Sequence, residues 1–359
     1  MSQANSLGVL NLPQGAALNI SVVIPAYNAE GTISETLNAL LHQKKIPREI
    51  IVVDNGSSDK TAEKVKEFAK TNPSLNIILD KEIKKGPSAA RNKGASLASN
   101  NTIAFLDADC IPPVNWIEII DNEFSGGCEI AGGTYEGLDM TNFIGSYLNI
   151  IGKASFGKRE AIGARVEDNR FLLGGTFAVS KSLFFKAGKF DEEMRLGEDA
   201  DLCKRIYKIG KRAIYNPELT VVHDHREEFK CRFQKTFSSG LLEARFLKKY
   251  YCTGFNIFFF GGKVIHFNSP IRTQLYFFSV INILLVSAIV SFFNKWLAML
   301  ILASSILGIA LKVLNITAKS GVRVNLFSYI GILLYWTLER FIFDVGRLCG
   351  SVKYRVACI

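Results

Sequence analysis

Short β-branched runs alternate with helical patterns through the first hundred residues, and this alternation most narrows how the chain can fold. Ile20–Ile24 (ISVVI) reads as a strand, and Thr32–Leu41 carries Ile33, Leu37, Leu40 and Leu41 at helical spacing. Further strands are expected at Ile50–Val53, Asn76–Leu79 and Thr102–Leu106, separated by helices from about Lys60 to Thr71 and about Ser88 to Ala98. Strands joined by helices of about ten residues imply a parallel sheet covered on both faces. Ligands of such sheets bind beyond the carboxyl ends of the strands.

Polar clusters fall on that edge. After the first strand come Pro25, Tyr27, Asn28 and Glu30; after the second, Asp54, Asn55 and Gly56; after the fourth, Asp107 and Asp109. A strand ending in Asp-x-Asp turns two carboxylates to one side of the pleat. Such a pair can hold a hard divalent cation whose shell is completed by phosphates and water, or it can be the solvated turn before Pro112-Pro113. Asp54 is equally readable as a chain reversal or as an acceptor for a base N–H or ribose hydroxyl, while Tyr27 offers a ring for stacking. Gly86 and Pro87 open a helix whose backbone N–H groups favour an anion, and Arg91, with Lys84 and Lys85 nearby, can add positive charge; the plainer reading is a helix start with an exposed arginine.

The alternation is lost from Glu129 to Ala178, where GlyGly pairs at 132 and 174 bracket an expected loop, Gly152–Arg170. It resumes with a strand at TFAVS, a helix near Lys181–Lys186, a helix ending at Ile209, and strands at Ala213–Tyr215 and Leu219–Val222. Glu198, Asp199 and Asp201 open the second helix, where acidic groups complement the dipole and Asp201 can pair with Arg205. Adjacent carboxylates cannot share a face, so one of Glu198 and Asp199 can point into a cleft as a general base while the other anchors the helix. His223 and His225 (VVHDH) end the last strand, as hydrogen-bonded structure or as metal ligands.

The 48% hydrophobic content of the 359 residues is unevenly spread. Gln274–Phe293 and Trp296–Asn315 hold one charge between them, Lys312, and each is long enough to cross a hydrocarbon core of about 30 Å. Basic residues cluster around them at Lys248, Lys249, Lys263, Arg272, Lys319, Arg323, Arg347, Lys353 and Arg355, so the net charge of +10 points to a lipid surface rather than nucleic acid. The first twenty residues lack a secretory pattern, which places the N-terminal domain in the cytoplasm, and the seven cysteines show no metal spacing and read as reduced thiols.

Taken together, the blocks VVIPAYNAEGTI, IIVVDNGSSDKT, GPSAARNKG, FLDADC, GGTFAVSKSLFFKAGKFDEEM and GEDADLCKRI, in this order, resemble the family 2 glycosyltransferases. The resemblance implies the α/β fold called GT-A, a Rossmann-like, mostly parallel sheet with helices on both faces, followed here by C-terminal transmembrane helices. It implies that Pro25, Tyr27, Asn28 and Glu30 border the nucleoside of a nucleotide-sugar, that Asp54 contacts the base, and that Gly86 and Arg91 lie near the diphosphate. Asp107 would approach the ribose or the metal-bound phosphate, and Asp109 would bind Mn²⁺ or Mg²⁺, with His223 as a further ligand. Asp199 would be the general base, with Glu198 in reserve. Inversion at the anomeric carbon is likewise an implication of the resemblance.

The expected organisation is an N-terminal tail over 1–19, the transferase domain over 20–228, an amphipathic interfacial region over 229–273, transmembrane segments over 274–346 and a basic tail over 347–359. Spans are expected at about 274–293 and 296–315; a third apolar segment, about 326–345, contains Glu339-Arg340 and either spans or lies in the interface. A multi-pass cell-membrane protein with a cytoplasmic catalytic domain follows, moving one sugar, read as coming from a UDP-sugar, to a lipid-linked saccharide, polyprenyl phosphate or glycolipid in envelope glycan synthesis. CRFQKTFSSGLLEARFLKKY has Gln234 but lacks the RW of processive synthases, which favours single transfer over polymerisation. A noncatalytic membrane scaffold and a nucleotidyltransferase are the readings from other classes.

Overall fold

The computed structural model describes residues 18–137, 143, 145–147, 150, 158–163, 171–194, 196–223, 229–250, 254–258, 264–267, 272–276, 279–322 and 324–358. His225 and most of the tail expected over 1–19 and of the loop expected over 152–170 lie outside these residues. The N-terminal part runs β1 (Leu18–Ala26), α1 (Ile33–Leu41), β2 (Pro47–Asp54), α2 (Thr61–Thr71), β3 (Ile77–Lys81), α3 (Pro87–Leu97), β4 (Thr102–Leu106), β5 (Cys110–Ile111) and α4 (Trp116–Ser125). It continues through β6 (Ile130–Gly132), β7 (Tyr135–Gly137), β8 (Glu160–Ile162), β9 (Thr176–Ser180), α5 (Lys181–Lys186), α6 (Glu198–Lys208), β10 (Ala213–Tyr215) and β11 (Val221–His223).

Eight strands form one sheet in the order β3-β2-β1-β4-β9-β6-β10-β8. The first four are parallel, as the alternation requires, whereas β9 enters antiparallel between β4 and β6. Val22, Ile24, Ile50 and Val52 pack on one face with α1 residues Ile33, Leu37 and Leu40; Val23, Ile51, Val53 and Phe105 pack on the other with Ala90, Phe184 and Ile206. Neighbouring residues of one strand therefore enter different cores, and no polar alternation is visible in the strands because both faces are buried. Helix α3 lies so close to β1 that a Cβ on Gly94 would stand 2.4 Å from Val23 Cγ1.

The chain winds from β1 outward to β3 and then returns to the other side of β1 as β4. The strand order thus reverses between β1 and β4, which opens a crevice at their carboxyl ends. A second sheet, β5-β11-β7, stands at that edge and pairs His223 with Cys110. The strand expected at Leu219–Val222 begins later, because Pro217–Leu219 form a 3₁₀ turn in which Asn216 Oδ1 accepts the Glu218 N–H.

The C-terminal part comprises α7 (Phe229–Tyr250), β12 (Gly254–Phe258), β13 (Val264–Phe267), β14 (Arg272–Tyr276), α8 (Val280–Phe293), α9 (Lys295–Ser320), α10 (Leu326–Tyr354) and β15 (Ala357–Cys358). The apolar run expected over 274–293 starts inside β14 and turns helical only at Val280, where Ser279 caps the helix and Asp344 Oδ2 accepts the Val280 N–H. Its 14 residues reach about 21 Å, short of the core thickness of about 30 Å. Helices α9 and α10, of 26 and 29 residues, are long and apolar enough to cross a membrane, and their exposed leucines suit lipid contact.

Two further expectations change. Residues 347–359 are not a free basic tail: α10 runs on to Tyr354, and Arg347 is buried against Asp344 at 2.9 Å. The region 229–273, expected to be amphipathic and interfacial, packs its helix against the C-terminal helix. Helix α7 packs along α10 backbone to backbone, and three strands follow it. The close approach runs through Gly240, Gly346 and Gly350; a Cβ on Gly346 would stand 2.0 Å from the Phe237 carbonyl oxygen. Small residues at this spacing let membrane helices approach through their backbones. Gly346→Leu should therefore force α7 and α10 apart at a cost of about 1–3 kcal/mol, read as a lower thermal midpoint of the full chain in detergent; an unchanged midpoint would refute the packing.

Candidate active site

The crevice between the ends of β1 and β4 holds a cavity of about 800 Å³. Pro25, Tyr27, Asn28, Gly86, Arg91, Asp107, Asp109 and His223 all line it, so eight residues singled out from sequence converge on one place. Tyr27 is 57% exposed, which leaves its ring free to stack. Asn28 adopts a left-handed φ of 48° at the tip of β1, a conformation asparagine tolerates, and its Oδ1 accepts the Ser58 N–H at 2.8 Å.

Asp54 and Glu30 do not line the cavity. Asp54 Oδ1 accepts the Ser57 N–H at 3.0 Å, closing the turn after β2, and Glu30 Oε2 accepts the Lys60 N–H at 3.2 Å. Gly86, at φ 129°, donates its N–H to Asn55 Oδ1 at 2.7 Å, and Asn55 Nδ2 donates to the carbonyls of Glu82 and Lys84. Asn55 thus staples the loop before α3. Lys84 turns to Glu192 and Glu193, leaving Lys85 as the lysine at the cavity.

Arg91 is not exposed; it is 5% accessible and joins two carboxylates from distant parts of the chain. Its Nη2 meets Asp107 Oδ1 at 2.6 Å and its Nη1 meets Glu198 Oε1 at 2.8 Å. Tyr135 OH donates to Asp107 Oδ2 at 3.0 Å and accepts the Gly175 N–H at 3.0 Å. Burial pushes the Asp107 carboxyl up, but the Arg91 guanidinium and the Tyr135 hydroxyl outweigh it and hold the group below the usual carboxylate range. Burial, then Asp107, pushes Tyr135 well above its ordinary value, so it remains a donor. A Cβ on Gly175 would lie 2.0 Å from Asp107 Oδ2, which is why a glycine must stand there.

Asp199 faces differently from its neighbour Glu198, as adjacent carboxylates on a helix must. Its Oδ2 accepts the Gly174 N–H at 3.1 Å and its Oδ1 the Ala200 N–H at 2.7 Å. Burial and the nearby Glu198 charge push its pKa up to about 7, the range of an efficient general base near neutrality. Asp201, fully buried, anchors the helix: it pairs with Arg205 at 2.8 Å and accepts from Lys249 at 2.6 Å and from Tyr250. Lys249 therefore turns inward to neutralise a buried carboxylate instead of facing lipid headgroups.

Asp109 Oδ2 lies 3.5 Å from His223 Nε2, and Cys110 Sγ completes a group within 4.8 Å. Burial raises the Cys110 thiol well above its ordinary range. Asp109 and His223 offer an oxygen and a nitrogen donor for a divalent cation at the cavity, whereas Asp107 is already engaged by Arg91 and Tyr135. Among the described residues Cys110, Cys128, Cys203, Cys349 and Cys358 form no disulfide. Tyr135 and Gly174-Gly175 are not assigned to the site from sequence, and the GlyGly pair is their one visible signal, whereas Asn55 already stands in the polar cluster after β2.

Comparison with known proteins follows the same residues. The family described as Glycosyl transferase family 2 matches residues 21–187. Glycosyltransferase AglE of Haloferax volcanii is 37% identical over 213 residues, 57% of this chain and 64% of the relative. An Escherichia coli protein, UDP-Glc:alpha-D-GlcNAc-diphosphoundecaprenol beta-1,3-glucosyltransferase WfgD, is 35% identical over 130 residues, 36% of this chain and 50% of that one. The chain thus spans between half and two thirds of these relatives' lengths. The mannosyltransferase PcManGT of Pyrobaculum calidifontis, solved with GDP-Man and Mn²⁺, is 18% identical with a TM-score of 0.53 over 94% of this chain and 87% of that one. That likeness shows the GT-A fold.

Proposed function

Residues 21–187 belong to glycosyl transferase family 2, and from that premise we propose that the chain transfers one sugar from a nucleotide-sugar, a UDP-sugar by our reading, to a membrane-displayed acceptor, with inversion at the anomeric carbon. The observation that carries this reading is the convergence of Tyr27, Gly86, Arg91, Asp107, Asp109 and His223 on one cavity, with Glu198, outside its lining, tied to Arg91. Tyr27 stacks on the base in this reading, and the loop stapled by Asn55 receives the diphosphate. Asp109 and His223 would hold a divalent ion, which would supply charge stabilisation to the departing diphosphate.

Asp199 takes the proton of the acceptor hydroxyl as its oxygen bonds to the anomeric carbon and the bond from that carbon to the diphosphate oxygen breaks. Arg91 is a positioning residue. It holds Asp107 beneath the donor and keeps Glu198 beside Asp199. Asp54 and Glu30 shape the nucleoside rim through the turns they close. The acceptor is proposed to be a lipid-linked saccharide, polyprenyl phosphate or glycolipid of the cell envelope, since α9 and α10 would hold the domain at a membrane, with the catalytic part on the cytoplasmic side; WfgD, by its name, acts on such an acceptor.

The test is a donor screen of the full chain with membrane lipid extract and Mn²⁺, following released UDP or GDP and the mass of the product. The expected result is nucleoside diphosphate release with one sugar added to a lipid. Pyrophosphate release with a nucleotide-sugar product would establish a nucleotidyltransferase instead, and absence of both turnover and donor hydrolysis would leave a scaffold. Asp109→Asn should weaken Mn²⁺ binding, read by electron paramagnetic resonance of the free ion, by about tenfold or more. Equal affinity in the variant would move the ion elsewhere.

A further inference from the structure

Asp107 reaches the start of α6 by two routes, and the proposed mechanism uses only one of them. The first runs through Arg91 to Glu198. The second runs through Tyr135, to which neither donor binding nor proton transfer assigns a task. Its hydroxyl donates to Asp107 Oδ2 at 3.0 Å and accepts the Gly175 N–H at 3.0 Å, so one oxygen joins the carboxylate to the Gly174-Gly175 corner. The neighbouring amide, Gly174 N–H, donates to Asp199 Oδ2 at 3.1 Å. Two adjacent residues of one helix are thus each held from Asp107, one through a guanidinium and the other through a phenol.

The backbone places Tyr135 firmly. Strand β7 pairs in parallel with β11, which sets Tyr135 opposite Val221 and beside His223, two residues further on. Side chains two apart on a strand share a face, and the Tyr135 ring packs on the His223 imidazole with centroids 4.9 Å apart. Just before β7, a Cβ on Gly133 would stand 2.4 Å from the Leu219 carbonyl carbon, so the chain there lies directly on its neighbour.

The corner that Tyr135 meets is built for close approach. Leu173 O accepts the Thr176 N–H at 3.1 Å, closing a turn over the two glycines, and Gly175 O accepts the Asp107 N–H at 3.4 Å. A Cβ on Gly174 would stand 3.3 Å from Arg91 Cζ, and one on Gly175 would stand 2.6 Å from the Tyr135 hydroxyl. Glycines permit these contacts but bring no side chain to fix the corner, so its hydrogen bonds must do so. A phenylalanine at 135 would fill the same space and leave the buried Gly175 N–H without that acceptor.

We infer that Tyr135 is a positioning residue for the transfer reaction: its hydroxyl fixes the Gly174-Gly175 corner against Asp107, and the corner in turn sets the carboxylate of Asp199 against the acceptor. The inference rests on the reading of Asp199 as the base; the hydrogen-bonded corner itself does not.

The full chain in detergent would be compared with Tyr135→Phe, which keeps the ring against His223 and removes only the hydroxyl. With Mn²⁺, membrane lipid extract and the donor that the screen turns over, the variant should lose about tenfold to 10²-fold in kcat, the effect of a base misplaced by about 1 Å, with KM for the donor within about twofold of the parent. Mn²⁺ affinity by electron paramagnetic resonance and UDP affinity by calorimetry should stay as in the parent. A residue that merely supported the fold would lower the thermal midpoint and leave kcat unchanged well below it, and that result would overturn the inference. Hydrogen–deuterium exchange resolved to the Gly174 and Gly175 amides reads the same link without any sugar transfer. Both amides should be protected in the parent and should exchange about tenfold faster or more in Tyr135→Phe. Should the variant not fold, an unprotected Gly175 amide in the parent would still overturn the inference. A parent that binds UDP but transfers no sugar would count against the proposed function, whereas equal exchange in parent and variant would count against Tyr135 alone.

Discussion

Asp199→Asn should lower sugar transfer by about 10²- to 10⁴-fold, the range a positioned general base contributes, while UDP affinity stays unchanged. The amide keeps the shape of the carboxylate and an oxygen for the Gly174 N–H, so the loop that meets Asp199 at 3.1 Å should stay in place. What it lacks is a lone pair basic enough to take the acceptor proton. The parent should show the matching pH dependence. Burial beside Glu198 pushes Asp199 up to about 7, and only its deprotonated form is a base, so the transfer rate should climb with pH through about 7 and level off above it. An Asp199→Asn protein that transfers sugar at the parental rate, or a parental rate flat from acid to neutral pH, would remove Asp199 from this role.

Arg91→Met should cost about 3–5 kcal/mol of stability, because it strands Asp107 and Glu198 in a buried site without their shared cation. Here the sign of the pH effect is opposite to that of a raised carboxyl. Asp107 sits below the usual carboxylate range, so the pair's contribution is present above the ordinary aspartate pKa and is lost as pH falls through the lowered folded value. The gap in thermal midpoint between parent and variant should therefore be widest near neutrality and narrow on acidification. Adding Asp107→Asn and Glu198→Gln to Arg91→Met should restore much of the midpoint without restoring transfer. A single variant as stable as the parent would mean the three-residue link carries no load.

Much of the parallel half of the sheet was legible because local patterns dictate it. Ile20–Ile24, Ile50–Val53 and Thr102–Leu106 are apolar runs with helices between them, and the strands found there extend each run by a few residues at most. The meeting of Tyr27, Gly86, Asp107 and Asp109 was legible for a related reason: parallel strands bring their carboxyl ends to one edge. Beyond Glu129 the signal fades. Tyr135 lies in a three-residue strand, too short to show a period, and is held beside Asp107 by pairing with β11 some ninety residues on. The first membrane segment was misplaced because hydropathy does not distinguish the apolar residues of β14 from the start of α8.

Sequence alone determined the alternating α/β architecture, the family resemblance, the edge on which the polar residues gather and the apolar run that becomes α9. Each is written in neighbouring residues, through strand and helix periodicity and through the length of uncharged runs. Tertiary structure alone decided how those residues divide the work. Arg91 reads as a helical arginine until Asp107, 16 residues away, and Glu198, 107 residues away, are seen on either side of it. Asp199 acquires a base's pKa, and Tyr135 its place between Asp107 and Gly175, only when distant segments close over them. Charge interactions depend on distance and on exclusion of water, and neither exists until the chain has folded.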